Sequence, residues 1–381
     1  MVKLILLGLL AGAFFSSTFV LNEVMSAAGG HWFWSASLRY VFMWLILTVI
    51  IGIQHGFGRI KALTTIFREH WGFWCVTGSI GFGIFYTGIC YAADHVAGWV
   101  VAATFMFTVV TSLLVLLAFG QRFDKKFIIY ALLVFIGVVL VNVSEGLHAA
   151  SLLDSQAAPM KDMIIYGALP ALVAAFSYPI GNQLVWQVSH NARKHTDALR
   201  KVEENSLLQN DFDAQNPALI TEAPILSTDM DNTADVVGNG SIDNSSQTSP
   251  LQNLIARIPA IQTTLLQNAF NKVWLMTLGS LPFWLVLGII VRPDLPETTQ
   301  LFNTLLVALL AGVGATSIFL YAREKAVTSS EVAGVDATQA SEVIFALIGG
   351  ILLLNNEIPS TLGLVGIGLI MLGLVLFAKD G

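Results

Sequence analysis

Glu342 is the residue of this sequence whose type and surroundings are most suited to proton chemistry. It lies deep in a long apolar run near the C-terminus, with Thr338 and Gln339 one helical turn earlier and Asp336 before them. Apolar surroundings disfavour the charged form of a carboxylate. The sequence therefore indicates an acid that exchanges protons or neutralises a bound cation, with Gln339 and Asp336 as neighbouring candidates. The alternative is a buried acid that is paired across helices.

Glu23 and Arg39 form a second group of ionisable residues, on either side of a Gly29-Gly30-His31 turn. Both lie in apolar runs, where a lone charge costs free energy. An ion pair across this helical hairpin would spare both residues an isolated charge. Direct contact of either residue with a bound solute is the alternative.

Polar residues also recur at matching positions of an internal repeat. Residues 171–183 align without gaps with residues 11–23, so that Asn182 matches Asn22 and Gln183 matches Glu23. Beside them, Tyr178-Pro179-Ile180-Gly181 either opens the helix backbone towards a cavity or only kinks the helix for packing. We take Asn22, Tyr178, Asn182 and Gln183 as candidates to line or brace a binding cavity.

The elements that carry these residues are dictated by composition. Of 381 residues, 55% are hydrophobic and 12% are charged, and the net charge is −6. Soluble domains carry about 25% charged residues. These figures exclude a soluble globule, a disordered chain and a basic nucleic-acid binder, and they leave an integral protein of the lipid bilayer.

Apolar runs long enough to cross a bilayer recur along the chain. We predict an all-α membrane protein with ten spans, near residues 4–22, 32–54, 71–91, 96–119, 127–144, 163–188, 271–291, 302–322, 330–354 and 361–378. Sixteen of the 19 Lys and Arg residues fall at one side of this arrangement. By the positive-inside rule, both termini are cytoplasmic.

The repeat and the loop charges together predict the domain organisation. Five helices per half is an odd number, so the second half is inverted relative to the first, as in many secondary transporters. We predict a first repeat at 1–145, an outer connecting loop at 146–162, helix six at 163–188 and helices seven to ten at 271–381. Residues 189–270 form a cytoplasmic, largely disordered insertion that is rich in acidic residues.

The sequence lacks the motifs of several common catalytic and nucleotide-binding sites. No GxxxxGK[ST] phosphate loop, HExxH or GxSxG motif occurs, and the histidines have no metal-ligand spacing. The sequence therefore predicts neither an ATP-driven pump nor a metal or other cofactor, and it disfavours an enzyme.

At several points the chain is similar to a known family. The resemblance is to the drug/metabolite transporter superfamily. It is carried by residues 14–22, Gly29-Gly30-His31-Trp32, Ser37-Leu38-Arg39-Tyr40, residues 178–186 and the Asn356-Glu357-Ile358-Pro359 turn. The resemblance is best to its multidrug resistance efflux (EmrE-like) branch, close to EamA-type carriers. It covers both halves but not residues 189–270.

The resemblance implies export of a small organic solute, a drug or a metabolite. Together with Glu342, we expect a proton antiporter that works by alternating access in the inner or plasma membrane. Ten helices can enclose a path, which is compatible with a functional monomer. The alternatives are an uncoupled facilitator or uptake carrier and a membrane-embedded enzyme.

Overall fold

The regular structure of this chain is helical. The computed structural model describes residues 2–119, 125–151, 160–215, 258–259, 261, 263–325, 335 and 338–380, and these ranges contain helices and no strand. Asp336 and most of the predicted 189–270 insertion lie outside the described residues.

Thirteen helices are labelled here in chain order. They are α1 Val2–Ala27, α2 Trp32–His55, α3 Phe57–Glu69, α4 Trp71–Ala93, α5 Gly98–Phe105, α6 Thr108–Ala118, α7 Lys126–Ser151, α8 Leu169–Gln215, α9 Ala269–Val291, α10 Thr298–Val307, α11 Thr316–Lys325, α12 Ser341–Leu354 and α13 Thr361–Asp380.

Nine membrane-spanning helices are supported by length and composition within the described residues. The remaining predicted span, 330–354, corresponds to a shorter apolar helix, Thr338–Leu354. The first turn of this helix, Thr338–Ala340, is a 3-10 turn. Residues 326–334 lie outside the described residues, so the count of ten stays a prediction.

One helix was not foreseen from the sequence. The basic segment after the second span forms α3, which buries Leu63 and Ile66 and packs against α2 and α9. Its opposite face carries the exposed Lys61 and Arg68. A short helix with one apolar and one basic face is suited to the membrane interface.

Within the described ranges, three π-helical segments interrupt the α-helices, and each inserts an extra residue into a turn. They are Ser79–Ile84 within α4, Met163–Ala168 before α8, and Ala308–Ala315 between α10 and α11. In the first of them, the Ile80 carbonyl accepts a hydrogen bond from the Ser177 hydroxyl of α8. Gly81 lies against Gly181 here, and a Cβ on either glycine would meet the Cα of the other.

Helix α8 continues without a break through Pro179. The idea that Tyr178-Pro179-Ile180-Gly181 opens the backbone is therefore wrong. The close approach of Gly181 to Gly81 shows that this region serves helix packing instead.

The chain divides into two compact units, Met1–Gln187 with Leu265–Gly381, and Val188–Thr264. In the first unit, α9 packs against α4 and α2, α10 packs against α2, α1 packs against α12, and α7 packs against α13. Its core includes the fully buried Tyr40, Trp74, Tyr86 and Trp274. The predicted domain limits stay a prediction.

Candidate functional site

Among the described residues, one basic and one acidic side chain are buried in helices of the first unit. Arg39 of α2 and Glu342 of α12 are each 8% exposed. A charged side chain at such a place needs a partner, a cavity or a proton path. The groups around these two residues therefore decide what the site can do.

Arg39 is surrounded by neutral groups. Its Nη1 donates to the Thr18 hydroxyl at 3.2 Å, and its Cζ lies 4.1 Å from the centroid of the Tyr86 ring. A guanidinium over an aromatic face gains a favourable cation–π interaction. The buried Nε has no hydrogen-bond partner, so the guanidinium keeps donor capacity.

Asn22 completes this polar cluster from α1. Its Nδ2 donates to the Tyr86 hydroxyl at 3.2 Å, while its buried Oδ1 has no hydrogen-bond partner. Helices α1, α2 and α4 thus bring together Thr18, Asn22, Arg39 and Tyr86. Unsatisfied buried polar atoms are uncommon and call for a functional or structural reason.

Stacked aromatic rings form a wall beside Arg39. Tyr40 stacks on Phe82, with ring centroids 4.9 Å apart, and on Trp284 at 5.8 Å. It also meets Tyr86 edge-on at 5.7 Å. These rings come from α2, α4 and α9, and they fix the position of the Arg39 cluster.

Glu342 lies in the first turn of α12, which begins at Ser341. Among the described residues, no hydrogen bond or ion pair joins its carboxylate to another side chain. The half-buried Tyr178 of α8 is within electrostatic range of both Glu342 and Arg39, and its hydroxyl pairs with the Asn182 side chain.

Aromatic contacts continue from Tyr86 towards Tyr178. Phe85 lies 5.7 Å from Tyr86 and 4.9 Å from Tyr178, measured between ring centroids. Phe105 of α5 also meets Phe85, at 5.3 Å. A row of contacting rings thus extends from Tyr86, which lies beside Arg39, to Tyr178.

The predicted ion pair between Glu23 and Arg39 is wrong. Glu23 Oε2 accepts from the Gly98 backbone N–H at 2.6 Å, and Oε1 accepts from Asn356 Nδ2 at 2.6 Å. Gly98 is the first residue of α5, where the helix dipole favours a negative charge. Neutral donors therefore satisfy Glu23 near the end of α1, while Arg39 has its own partners deeper in α2.

The remaining sequence candidates are dispersed. Gln183 is buried at 9% exposure, whereas Gln339 is exposed although it lies only three residues before Glu342. Gln339 therefore does not share the buried surroundings of Glu342, and the 3-10 turn of residues 338–340 comes directly before α12. Asp336 lies outside the described residues.

A separate cavity of about 520 Å³ lies where α1, α4 and α9 end, and we call it the acidic mouth. Its lining includes His31, Asp94, Asp294, Glu297 and Gln300. Partial loss of hydration raises the pKa of Asp94 above its ordinary value, and a hydrogen bond with Ser26 opposes that shift. Among the described residues, no group of three His, Cys, Asp or Glu side chains could hold a metal ion.

Sequence reasoning missed the aromatic partners of the site. Tyr86 and Tyr40 looked like ordinary members of apolar runs. A buried tyrosine carries a hydroxyl that needs a partner, and that is the one signal that could have marked them. Their approach to Arg39 depends on how α2, α4 and α9 pack.

Comparison with known proteins places this arrangement in a family. The family model described as "EmrE: Putative multidrug resistance efflux transporter" matches residues 2–380. "Uncharacterized protein YjlA" of Bacillus subtilis (strain 168) is 29% identical over 390 residues, which cover 98% of this chain and 94% of that protein.

A second relative is the "Uncharacterized 42.1 kDa protein in intracellular alkaline protease 3'region" of Shouchella clausii. It is 28% identical over 335 residues, which cover 85% of this chain and 65% of that protein. The family match over nearly the whole chain agrees with the apolar helices described above. The chain therefore belongs to the EmrE-like family of multidrug resistance efflux transporters, within the drug/metabolite transporter superfamily.

Proposed function

We propose that this protein is a secondary transporter that exports a small organic solute, a drug or a metabolite, in exchange for protons. Glu342 is the coupling acid in this proposal. The observation that carries it is the burial of Glu342, 8% exposed, with no ion pair or hydrogen bond to a described side chain. The family is a membrane transporter family, and this supports the transport part of the proposal.

A buried, unpaired carboxylate is suited to coupling because its free energy depends strongly on its charge. Removing a carboxylate from water costs several kcal/mol unless it is neutralised. Either a proton or a cationic group of the solute can neutralise Glu342. Two ligands that neutralise the same group exclude each other, and such exclusion is the basis of exchange.

Two features support alternating access by inverted halves. The pair Tyr91-Ala92, at the end of the third predicted span, recurs as Tyr321-Ala322 at the end of the eighth. This offset of 230 residues carries the π-helical segment 79–84 onto residues 309–314, inside Ala308–Ala315. If the two halves are exchanged, α4 corresponds to α10 and α9 corresponds to α2. Both pairs pack together in the structure, α4 with α9 and α10 with α2. Repeats that exchange in this way suit a rocking motion around a central site.

The acidic mouth supports the direction of proton movement. Under the predicted topology, this mouth faces the outside of the plasma or inner membrane. Asp94, Asp294 and Glu297 make the local potential negative, which raises the concentration of protons and other cations there. Proton entry from this side is what an exporter in exchange for protons requires.

The test is proton movement in vesicles that hold the purified full chain and a pH-sensitive dye. Addition of a transported solute to wild-type vesicles changes the luminal pH, and Glu342→Gln abolishes the change, because glutamine cannot take up and release a proton. Glu69→Gln is the matched control, since it makes the same change at an exposed residue of α3. Retention of solute-driven proton movement by Glu342→Gln would falsify the assigned role.

A further inference from the structure

We infer that Arg39 and Asn22 form a binding site for a small hydroxy acid, a carboxylate with a hydroxyl group on the neighbouring carbon. Arg39 binds the carboxylate, and the side-chain carbonyl of Asn22 accepts a hydrogen bond from the hydroxyl group. We call this pair of residues the anion site. The inference goes beyond the proposed function, because it assigns a ligand to Arg39 and needs no proton exchange at Glu342.

Arg39 carries a permanent charge inside a membrane-spanning helix. It lies seven residues after Trp32, the first residue of α2, which is about 10 Å along the helix axis, and it is 8% exposed. A guanidinium is not deprotonated in proteins, so Arg39 cannot become neutral in the way that a buried carboxylate can. A charge in such a place needs a partner.

The acid nearest to this cluster in the sequence does not supply that partner. Glu23 follows Asn22 directly, but its oxygens accept from the Gly98 N–H and the Asn356 amide. Among the described residues, no carboxylate forms an ion pair with Arg39.

The partners that Arg39 does have are neutral. They are the Thr18 hydroxyl, 3.2 Å from Nη1, and the face of Tyr86, whose centroid is 4.1 Å from Cζ. An anionic ligand would supply the missing opposite charge.

Two buried polar atoms of this cluster have no hydrogen-bond partner, and they are of opposite kinds. Arg39 Nε is a donor, and Asn22 Oδ1 is an acceptor. A hydrogen bond between them would satisfy both atoms, but no such bond occurs. A ligand that carries an acceptor and a donor satisfies both at once.

The existing contacts determine which edge of each side chain is left for the ligand. Nη1 of Arg39 donates to Thr18, so the opposite edge of the guanidinium, formed by Nε and Nη2, is left for the two oxygens of a carboxylate. Asn22 Nδ2 donates to the Tyr86 hydroxyl at 3.2 Å, which leaves its carbonyl oxygen for a donor. Because Arg39 and Asn22 contact the same tyrosine, one small molecule can reach both.

The surroundings favour a ligand with an apolar body. Tyr40 follows Arg39 in the sequence and stacks on Phe82 and Trp284, and these rings bound the cluster. Aromatic faces pack well against an apolar or aromatic group. Since Thr18, Asn22 and Tyr86 are buried, the ligand reaches Arg39 when α1, α2 and α4 move apart.

The experiment measures binding to the purified full chain in lipid nanodiscs with two series of compounds of matched shape. The first series is mandelate, phenylacetate and mandelamide. The second is lactate, propionate and lactamide. In each series the first compound has the carboxylate and the hydroxyl group, the second lacks the hydroxyl group, and the third is uncharged. Sodium chloride is the probe for an inorganic anion.

We expect at least one hydroxy acid to bind at least about tenfold more tightly than its amide, which loses a charged hydrogen bond. The same hydroxy acid should bind at least about threefold more tightly than the acid without the hydroxyl group, which loses a neutral hydrogen bond.

Two variants separate the roles of the two residues. Arg39→Gln removes the preference for the hydroxy acid over its amide, because glutamine is uncharged. Arg68→Gln makes the same change at an exposed residue of α3 and leaves the preference unchanged. Asn22→Leu, which has a similar size and no acceptor, removes only the preference over the acid that lacks the hydroxyl group. Loss of both preferences in a stably folded Asn22→Leu would contradict the role of Asn22.

The ranking of the wild-type protein is decisive even where a variant does not fold, because it needs no substitution. Amides that bind as tightly as the hydroxy acids in both series overturn the inference, and so does the absence of detectable binding of both hydroxy acids. Chloride that binds more tightly than both hydroxy acids overturns it as well, because an inorganic anion is then the partner of Arg39.

This inference and the proposed function can fail separately, because binding in nanodiscs involves no proton gradient. A preference for hydroxy acids without solute-driven proton movement in vesicles leaves the anion site standing and contradicts the transport function. Proton movement without such a preference contradicts the anion site and leaves the transport function standing.

Discussion

Glu23 shows how a carboxylate near the end of a membrane helix is held by neutral donors. Its two oxygens accept from the Gly98 N–H of α5 and from the Asn356 amide, each at 2.6 Å. Asn356 belongs to the turn between α12 and α13. Glu23 thus joins three parts of the chain that are far apart in sequence, and its role is structural at the residue scale.

Glu23→Gln is expected to lower the free energy of unfolding by about 1–3 kcal/mol, because one oxygen becomes an NH₂ group that cannot accept. The measurement is thermal unfolding of the purified protein in detergent. Solute-driven proton movement in vesicles is expected to be unchanged, since Glu23 contacts Gly98 and Asn356 and not Glu342.

A double variant is the control for this prediction. In Glu23→Gln with Asn356→Asp, the new amide can donate to the new carboxylate, while the glutamine oxygen accepts from Gly98. We expect part of the lost stability to return. A double variant that loses more stability than the two single variants lose together would contradict the proposed role of the hydrogen bond between Glu23 and Asn356.

At the element scale, the pairing of α7 with α13 depends on glycine. A Cβ at Gly366 would lie 2.8 Å from the Gly137 carbonyl oxygen, and a Cβ at Gly137 would lie 2.7 Å from the Gly366 carbonyl oxygen. These two helices therefore touch through their backbones. Small residues permit such contact between membrane helices.

Gly366→Ala is expected to destabilise the protein by about 1–3 kcal/mol, because the methyl group forces the two backbones apart. Gly368→Ala is the matched control on the same helix, since no atom lies within 4 Å of its Cβ position. It should be neutral or slightly stabilising, because alanine favours a helix more than glycine does. Equal melting temperatures of the two variants would contradict the packing argument.

At the scale of the whole molecule, one pair of helix contacts is reproduced when the two predicted halves are exchanged. Helix α4 packs on α9, and α10 packs on α2. The π-helical segments of α4 and of α10–α11 occur at the same offset as the Tyr-Ala match. These observations support halves of opposite orientation, which the loop charges also predict.

The predicted topology can be tested with reporters fused to the chain in a bacterial inner membrane. Green fluorescent protein after Gly381 should fluoresce, and alkaline phosphatase at the same place should be inactive, because the C-terminus is predicted inside. The same pair after Ser155 should give the reverse result, because residues 146–162 are predicted outside. Like results at both positions would contradict an odd number of spans between them.

Much of this fold could be predicted from the sequence because a lipid bilayer imposes strong local rules. Backbone groups in hydrocarbon must be satisfied within the segment, so long apolar runs form helices whatever their neighbours are. The apolar helices and the family followed from such runs and from local motifs. Helix α3 was missed, because its apolar face is only a few residues wide.

The sequence by itself determined that the protein is helical, that it lies in a membrane, and that Arg39 and Glu342 are its unusual charges. Only the tertiary structure decided which groups meet these charges. Glu23 faces Gly98 and Asn356 instead of Arg39, and Tyr86 lies against Arg39. The physical reason is that helix formation depends on neighbours within a few residues, whereas the partner of a buried charge depends on the packing of helices that are distant along the chain.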